Sequence, residues 1–363
     1  MSEWTPPLRD ELRGVEPYGA PQLDVAVQLN TNENPYGPSA AVIADIAATV
    51  AEASVNLNRY PDRDFDELRD ALAAYLAEES GVPLERAQIW AANGSNEVML
   101  HILQAFGGPG RTAMSFAPTY SMYPEYARDT HTTWVQGHRN ADFSFDFDHA
   151  SALISEHRPT VVLLPSPNNP TGTALDHEVI GRLADLVGAG VLVIDEAYAE
   201  FRRAGTPSAL QLLERYPNLI VTRTMSKAFA AAGLRLGYLG ADGRICDALR
   251  VVRLPYHLSA TTQATALASL RHADELLGAV ASLRAERDEL VVWLRQAGFE
   301  VADSDANFVL FGRFENRHAI WRGLLDHGVL IREVGPEGWL RVSVGTPAEM
   351  DAFKRALKEV CEP

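Results

Sequence analysis

Residues 191–198 read Val-Leu-Val-Ile-Asp-Glu-Ala-Tyr, so that a short apolar run, Val191–Ile194, ends in an acidic residue. A short apolar run bounded by polar residues is typical of a strand buried on both faces, the kind found in parallel sheets. Similar runs, separated by helical patterns, occur at Thr112–Phe116, Val161–Leu164, Leu219–Val221 and Gly237–Leu239. This alternation predicts an α/β fold with a mostly parallel sheet.

The sheet pattern occupies the middle of a chain that we divide into three parts. Residues 1–35 form an arm rich in Pro, Gly and Asn, and residues 36–255 hold the alternating elements of a large domain. Residues 256–363 are predicted to form a smaller α+β C-terminal domain, with a helical pattern followed by three apolar runs. These segments are Ala260–Gln296, Asn307–Phe311, Val329–Arg332 and Leu340–Val344. Two domains are the natural expectation for 363 residues.

Composition narrows the class of protein but does not identify it. The net charge of −16 and the lack of a Lys/Arg-rich run argue against nucleic acid as a partner. The sequence shows neither a signal peptide nor a run of the roughly 20 apolar residues that a membrane span needs. Its two cysteines, Cys246 and Cys361, lack metal-ligand spacing and suit a reducing compartment. We therefore expect a cytoplasmic enzyme with no metal site and no membrane contact.

The residue that points most directly to chemistry is Lys227, which lies 32 positions after Asp195. A lysine, an upstream Asp-x-x-Tyr and a nearby hydroxyl are what pyridoxal phosphate chemistry requires. The lysine amine forms a Schiff base with the cofactor aldehyde, and the aspartate keeps the pyridine nitrogen protonated. Tyr198 can hydrogen-bond the ring hydroxyl. Each residue alone also fits a plainer interpretation, since most lysines are surface charges and an aspartate often ends a strand in a turn.

Three further segments strengthen this interpretation. Ala92–Glu97 is predicted to be a turn that opens a helix, where free N–H groups bind phosphate, although such a turn can also be a simple helix cap. Ser166–Gly172 follows a predicted strand, and ligands bind at the carboxyl ends of such strands, although Pro/Asn/Gly clusters are usually turns. Gly233–Gly237 contains Arg235, whose planar fork of donors suits phosphate. The plainer alternative is that Arg235 is a solvated surface arginine.

With these segments in place, the chain resembles the fold-type-I pyridoxal-phosphate-dependent aminotransferases. Along nearly its whole length it is similar to the histidinol-phosphate aminotransferase family. The other segments that carry the resemblance are Leu29–Pro35, Asn58–Pro61, Pro118–Tyr120, Arg223–Phe229 and Leu340–Gly345. Neighbouring subfamilies share most of these segments, so an aromatic amino acid aminotransferase and, less favoured, a threonine-phosphate decarboxylase stay open as alternatives.

The resemblance implies pyridoxal 5'-phosphate as cofactor and transfer of an amino group between L-histidinol phosphate and 2-oxoglutarate. The catalytic residues that it implies are Lys227, Asp195 and Tyr198. Further cofactor contacts are implied for Gly94, Ser95, Asn96, Tyr120, Asn169, Thr224, Ser226, Arg235 and, from a partner subunit, Tyr60. Substrate contacts are implied for Tyr18, Asn32, Tyr120, Asn169, Arg332 and Arg341.

Two positions are less regular. Asn96 stands where the family often carries Asp, which matters little if the contact there is a backbone N–H. His257 has no place in the family pattern, and we expect a histidine in a polar loop.

The arm is too polar to make a core of its own and needs a surface on which to dock. The resemblance implies that a partner subunit supplies one, in a homodimer with sites at the interface.

Overall fold

The structure is a computed structural model that describes residues 4–361. Its strands are β1 Val27–Gln28, β2 Ile89–Ala92, β3 Thr112–Ala117, β4 Thr133–His138, β5 Val161–Pro165, β6 Val191–Asp195, β7 Leu219–Thr224, β8 Gly237–Ala241, β9 Glu300–Val301, β10 Phe308–Gly312, β11 Val329–Leu330 and β12 Trp339–Ser343. Its α-helices are α1 Ala40–Ser54, α2 Asp66–Ser80, α3 Gly94–Phe106, α4 Tyr123–Asp129, α5 Phe147–His157, α6 His177–Val187, α7 Gly243–Val252, α8 Ala260–Arg271, α9 Ala273–Leu277, α10 Val280–Gln296, α11 Arg317–Asp326 and α12 Pro347–Cys361. None of the helices in the described range is long and apolar enough to cross a membrane.

The central sheet has seven strands in the order β2-β8-β7-β6-β5-β3-β4. The strands from β7 to β4 run parallel, and β8 lies antiparallel between β7 and β2. The middle strands are buried along their whole length, which is why they appear in the sequence as continuous apolar runs. The predicted α/β class with a mostly parallel sheet is confirmed.

Helices cover the sheet by turning apolar faces toward it. In α6 the buried residues Ile180, Leu183, Ala184 and Val187 recur at intervals of three, one and three, so one face of the helix packs on the sheet. The helix ends at Gly188, whose φ of 58° suits a residue without a side chain. The large hydrophobic core lies between these helices and the strands.

A second core forms around the C-terminal elements. β10 pairs antiparallel with β12 and β9, and α10, α11 and α12 contact these strands or one another. The arm joins this part of the molecule, because β1 pairs in parallel with β11 and Leu29 is buried in the second core. Part of the surface on which the arm docks therefore belongs to its own chain.

Differences from the predicted elements concern short or exposed segments. β2, with its two alanines, and the edge strand β4, which alternates with polar residues, were not predicted, since neither forms a long apolar run. The helical pattern over residues 260–296 divides into α8, α9 and α10. In the predicted strand over residues 329–332, only β11 is regular, and Arg332 forms an isolated bridge with Arg341. The proposed domain boundaries stay a prediction.

Candidate active site

A cavity opens at the carboxyl edge of the central sheet. β5, β6 and β7 end there, at Pro165, Asp195 and Thr224, and all three residues line the cavity. Parallel strands direct their following loops to one edge, which is where α/β proteins bind ligands. Most of the predicted site residues line this cavity: Tyr18, Asn32, Ser95, Asn96, Tyr120, Asn169, Asp195, Tyr198, Thr224, Ser226, Lys227, Arg235, Arg332 and Arg341.

Lys227 follows β7 and presents its amine to the cavity. Its Nζ donates a hydrogen bond of 2.9 Å to the backbone oxygen of Thr31 in the arm. Burial and, to a smaller extent, the nearby Arg341 lower the pKa of Lys227 from 10.5 to about 8, while Glu33 acts in the opposite direction. The uncharged amine, which a nucleophile or general base requires, is therefore much more populated at mildly basic pH than in an ordinary lysine.

Asp195 is the last residue of β6 and is buried. Tyr123 donates to its Oδ2 at 2.9 Å, and Thr222 donates to its Oδ1 at 3.1 Å. Burial raises the pKa of Asp195, and these two hydrogen bonds act against that rise because they stabilise the charged form. A bound cation or ring N–H at this position would favour the carboxylate further.

Tyr198 lies three residues beyond Asp195 with its ring buried. Its Oη accepts a hydrogen bond of 3.0 Å from Asn32 Nδ2 and a longer one of 3.5 Å from Asn169 Nδ2. Asn32 adopts a left-handed φ of 56° and also binds Ser343 through its backbone and side chain. Asn32 therefore ties the arm to Tyr198 and to β12, rather than leaving its amide free in the cavity.

One end of the cavity has the features of an anion site. α3 begins at Gly94, and its first turn brings Ser95 and Asn96 with their unpaired N–H groups to the cavity. Gly94 has a φ of 81°, which favours glycine, and a Cβ at this position would lie 2.6 Å from Nη2 at the end of the Arg235 side chain. Arg235 is exposed, yet it lines the cavity and contacts Ser226 Oγ at 3.5 Å.

The hydroxyl groups of Thr224 and Ser226 complete this end. Thr224 Oγ1 donates to Ser226 Oγ at 3.0 Å and accepts from the Ser226 backbone N–H at 3.1 Å. Both residues are buried and both line the cavity. The helix start, two hydroxyl groups and one guanidinium together make a site suited to a phosphate group.

At the opposite side, Arg341 projects from β12 and is buried. It donates to Asn169 Oδ1 at 2.6 Å and to the Asn30 backbone oxygen at 2.8 Å, while its Nε has no partner within the described residues. Burial lowers the pKa of Arg341 to about 10, so it remains charged at neutral pH. An unpaired buried donor on a charged guanidinium suits a substrate anion. Arg332 lies beside it and binds the Gly19 backbone oxygen at 3.2 Å.

The arm and the loop after β3 form another wall. Ser121 Oγ donates to Tyr18 Oη at 2.9 Å, so Tyr18 closes on this loop although half of its surface stays exposed. The Tyr120 ring lies in the same loop and packs edge-on against Tyr123, with ring centroids 5.5 Å apart. Burial raises the pKa of Tyr120, which therefore stays a neutral phenol.

Two residues lie elsewhere. Tyr60 is 79% exposed, stacks on Tyr256 at 4.5 Å and does not line the cavity of its own chain. His257 is half-buried and stacks on Trp90, with its Nε2 2.9 Å from the Ala91 backbone oxygen. His257 lies in the loop between α7 and α8, as expected, but its side chain packs in an aromatic cluster rather than in polar surroundings.

Three residues that hydrogen-bond Lys227 or Asp195 were not predicted from the sequence. Thr31 supplies the oxygen that accepts from Lys227, but a backbone group leaves no mark in the sequence. Tyr123 could not be placed opposite Asp195, because 72 residues separate the two. Thr222 could have been found, since it and Thr224 share one face of a strand that alternates with period two.

Comparison with known proteins gives a consistent result. The model of the family "Aminotransferase class I and II" matches residues 24–357. The histidinol-phosphate aminotransferase of Thermobifida fusca is 64% identical over 351 residues, which cover 97% of this chain and 94% of that protein. The histidinol-phosphate aminotransferase of Bifidobacterium longum is 57% identical over 371 residues, covering 98% and 96%.

Among solved structures, the histidinol-phosphate aminotransferase from Sinorhizobium meliloti, crystallised in complex with pyridoxal-5'-phosphate, has a TM-score of 0.82 to this chain. The sequences are 25% identical, and the match covers 93% of this chain and 90% of that one. The similarity in sequence and in structure thus extends over nearly the entire chain.

Proposed function

The chain belongs to the class I and II aminotransferases, and on this premise we propose that it transfers an amino group between L-histidinol phosphate and 2-oxoglutarate, with pyridoxal 5'-phosphate as cofactor. The observation that carries the proposal is the partly buried amine of Lys227, with its lowered pKa, in one cavity with Asp195 and a phosphate-type anion site. The histidinol-phosphate aminotransferases that match along almost the full chain support the choice of substrate.

The residues of the cavity fit this cofactor. The space next to Gly94 that a Cβ would fill keeps the start of α3 and Arg235 close together, as phosphate binding requires. Lys227 would hold the aldehyde, Asp195 the ring nitrogen, and Tyr198 with Asn169 the ring hydroxyl. Tyr120 would cover one ring face. When bound, the cofactor supplies an electron sink for the carbon that loses its proton.

Lys227 and Asp195 have different roles in the proposed reaction. With the cofactor bound, Lys227 would carry a proton away from the substrate α-carbon, which a pKa near 8 permits. Asp195, whose carboxylate accepts hydrogen bonds from Tyr123 and Thr222, would hold a proton on the ring nitrogen. Because donor and acceptor use the same site in turn, we expect ping-pong kinetics.

Substrate anions would bind at the small-domain side of the cavity. Arg341 can offer a charged fork to either a carboxylate or a phosphate, so one residue can serve both glutamate and histidinol phosphate. Arg332 and Tyr18 lie at the same side and would enclose the rest of the substrate. The overall acidity of the chain means that this attraction depends on local arginines rather than on a global field.

We also propose that the active form is a homodimer in the cytoplasm. Tyr60 and its stacking partner Tyr256 are exposed, and so are four apolar residues near them in sequence: Val55, Leu57, Val251 and Leu254. Exposed apolar residues grouped in this way are typical of a protein interface. A second copy would cover them and could bring its Tyr60 to the cofactor phosphate. Sedimentation equilibrium should give twice the mass of the 39.7 kDa chain.

The decisive experiment compares substrates. Steady-state rates should be measured with histidinol phosphate, phenylalanine and threonine phosphate, each with 2-oxoglutarate. We expect kcat/KM to be highest for histidinol phosphate, with glutamate as a product. A preference for phenylalanine would instead indicate an aromatic amino acid aminotransferase, and carbon dioxide release from threonine phosphate would indicate a decarboxylase.

A further inference from the structure

The carboxylate of Asp195 is held through both of its oxygen atoms, by two residues outside the predicted site. Tyr123 donates to Oδ2 at 2.9 Å, and Thr222 donates to Oδ1 at 3.1 Å. The two donors come from different elements, since Tyr123 is the first residue of α4 and Thr222 lies on β7. A carboxylate bound at both oxygens cannot rotate without breaking a hydrogen bond.

Tyr123 is suited to act only as a donor. Its side chain is fully buried, and burial together with the nearby Asp195 raises the pKa of its hydroxyl, so the phenol keeps its proton. Its ring also packs edge-on against Tyr120, with centroids 5.5 Å apart and planes at 88°. One side chain therefore supports both Asp195 and the aromatic ring expected over the cofactor.

The register of strands β6 and β7 places Thr222 beside Asp195. Asp195 and Thr222 are paired residues of the parallel strands β6 and β7. On β7, Thr222 and Thr224 point to the cavity side, while Arg223 between them binds Glu196 and Glu200. The threonine therefore reaches Asp195 from a fixed backbone rather than from a loop.

Few other groups affect the pKa of Asp195. The backbone N–H of Ala197 favours its charged form, and Glu196 opposes it. Glu196 is itself neutralised by Arg223 and Arg202. Burial is the largest effect on Asp195 and favours the protonated acid, so the two hydroxyl groups are the side-chain contacts that counter it.

We propose that Tyr123 and Thr222 are positioning residues that keep the Asp195 carboxylate charged and oriented for the cofactor ring nitrogen. The inference rests on the proposed function, because it assigns roles around a cofactor that this function requires. Neither residue needs to touch the substrate. Their loss should therefore change the bound cofactor itself, and not only the rate of turnover.

The test compares Tyr123→Phe with Tyr126→Phe. Tyr126 is also a buried tyrosine of α4, and its hydroxyl makes no hydrogen bond to Asp195 within the described residues. The measurements are the dissociation constant of pyridoxal phosphate and the pH at which the absorbance of the bound cofactor changes. Tyr123→Phe should weaken cofactor binding roughly tenfold, because a hydrogen bond to a charged group is lost, and Tyr126→Phe should not.

The pH midpoint of the absorbance change should also rise in Tyr123→Phe. A less firmly charged Asp195 leaves the ring nitrogen less protonated, the ring withdraws fewer electrons, and the nitrogen joined to Lys227 becomes more basic. Thr222→Val should shift the midpoint in the same direction, while Thr222→Ser, which keeps the hydroxyl, should restore it. The threonine pair keeps the test valid if Tyr123→Phe does not fold.

The outcomes separate the two proposals. A midpoint and a dissociation constant in Tyr123→Phe and Thr222→Val that equal those of wild type would overturn the positioning role alone. Equal changes in Tyr123→Phe and Tyr126→Phe, with no change in Thr222→Val, would also overturn it. If wild-type protein bound no pyridoxal phosphate at Lys227, the proposed function would fail, and the inference with it.

Discussion

At the scale of single residues, burial sets the charge of the two groups at the centre of the site. It lowers the pKa of Lys227 to about 8 and raises that of Asp195, so both shifts favour the neutral form. The lysine amine has a backbone oxygen as its acceptor, whereas the carboxylate has two hydroxyl donors. The amine therefore keeps only a neutral partner, and the two hydroxyl groups counter the effect of burial on the acid.

The first prediction concerns Lys227→Ala, which should abolish turnover, because the same amine anchors the cofactor and moves the substrate proton. In wild type, borohydride reduction should fix the cofactor to the peptide that contains Lys227. The chain offers a clear control, since its other two lysines, Lys354 and Lys358, both lie on α12. A label on either of these, or wild-type turnover in the variant, would contradict the assignment.

At the scale of elements, the sheet edge and the C-terminal strands divide the ligand contacts between them. β5, β6 and β7 with the start of α3 supply the groups expected around the cofactor, and β12 supplies Arg341. The arm contributes Tyr18 from a segment with little secondary structure. Substitutions in β12 and in the arm should therefore affect substrates more than cofactor binding.

Arg341→Leu is the second prediction. The variant should weaken histidinol phosphate and glutamate alike and leave cofactor binding intact, because both substrates present an anion to the same guanidinium. Loss of a buried, hydrogen-bonded charge from a binding site costs roughly 2–5 kcal/mol, which corresponds to a fall of about tens to thousands of fold in kcat/KM. The two half-reactions should be measured separately, with Arg332→Leu as the neighbouring comparison. Unchanged half-reactions in Arg341→Leu would place the anion site elsewhere.

The third prediction is that Tyr18→Ala, unlike Arg341→Leu, affects the two substrates to different extents. Tyr18 meets the loop after β3 through Ser121, so it covers the part of the cavity that a bulky imidazole group would fill. The variant should lose more kcat/KM with histidinol phosphate than with glutamate. Ser121→Ala keeps the aromatic ring but removes its hydrogen bond, and we expect a smaller change in the same direction. Equal losses for both substrates would contradict this role.

The sequence predicts the elements that carry continuous apolar runs, and it misses those that depend on tertiary contacts. β3, β5, β6 and β7 were predicted because buried parallel strands show no polar alternation, and the antiparallel β8 was predicted from the same kind of run because it too is buried along its whole length. β1 has two residues and exists only because β11 lies beside it, so no local pattern could indicate it. Site residues followed the same rule, since motifs beside strand ends located Asp195 and Lys227, whereas Tyr123 acts across 72 residues of sequence.

At the scale of the whole molecule, the charge of Lys227 differs from that of the buried arginines that form ion pairs. Arg223 is fully buried and forms ion pairs with three carboxylates, those of Glu79, Glu196 and Glu200. Lys227 forms no ion pair within the described residues, and its amine binds only a backbone oxygen. A buried cation without a charged partner lowers the stability of the folded state, so the cofactor-free protein should carry this cost.

The fourth prediction follows from the sign of this effect. The folded protein holds the Lys227 proton less tightly than the unfolded chain, since its pKa falls from 10.5 to about 8. Unfolding therefore takes up a proton between these values, and stability rises with pH across that window. The loss of folding stability caused by the charge on Lys227 is complete below pH 8 and vanishes above pH 10.5. Its upper limit is about 3 kcal/mol.

Lys227→Met removes this charge at nearly constant volume. Without cofactor, the variant should have a higher free energy of unfolding than wild type at pH 7, and the difference should shrink as pH rises from 8 toward 10.5. Urea unfolding at several pH values measures this, with Lys358→Met on exposed α12 as the control. A difference that does not change with pH would show that Lys227 is not the group that titrates.

The hydrogen bond from Lys227 to Thr31 ties the arm to the segment that follows β7. Lys227 follows a strand of the large sheet, whereas the chain that carries Thr31 is held by β11 and by the second core. Once the amine binds another group, this hydrogen bond is lost, and the arm keeps only its other contacts. Limited proteolysis should then distinguish loaded from empty protein by the accessibility of the arm, without any substrate present.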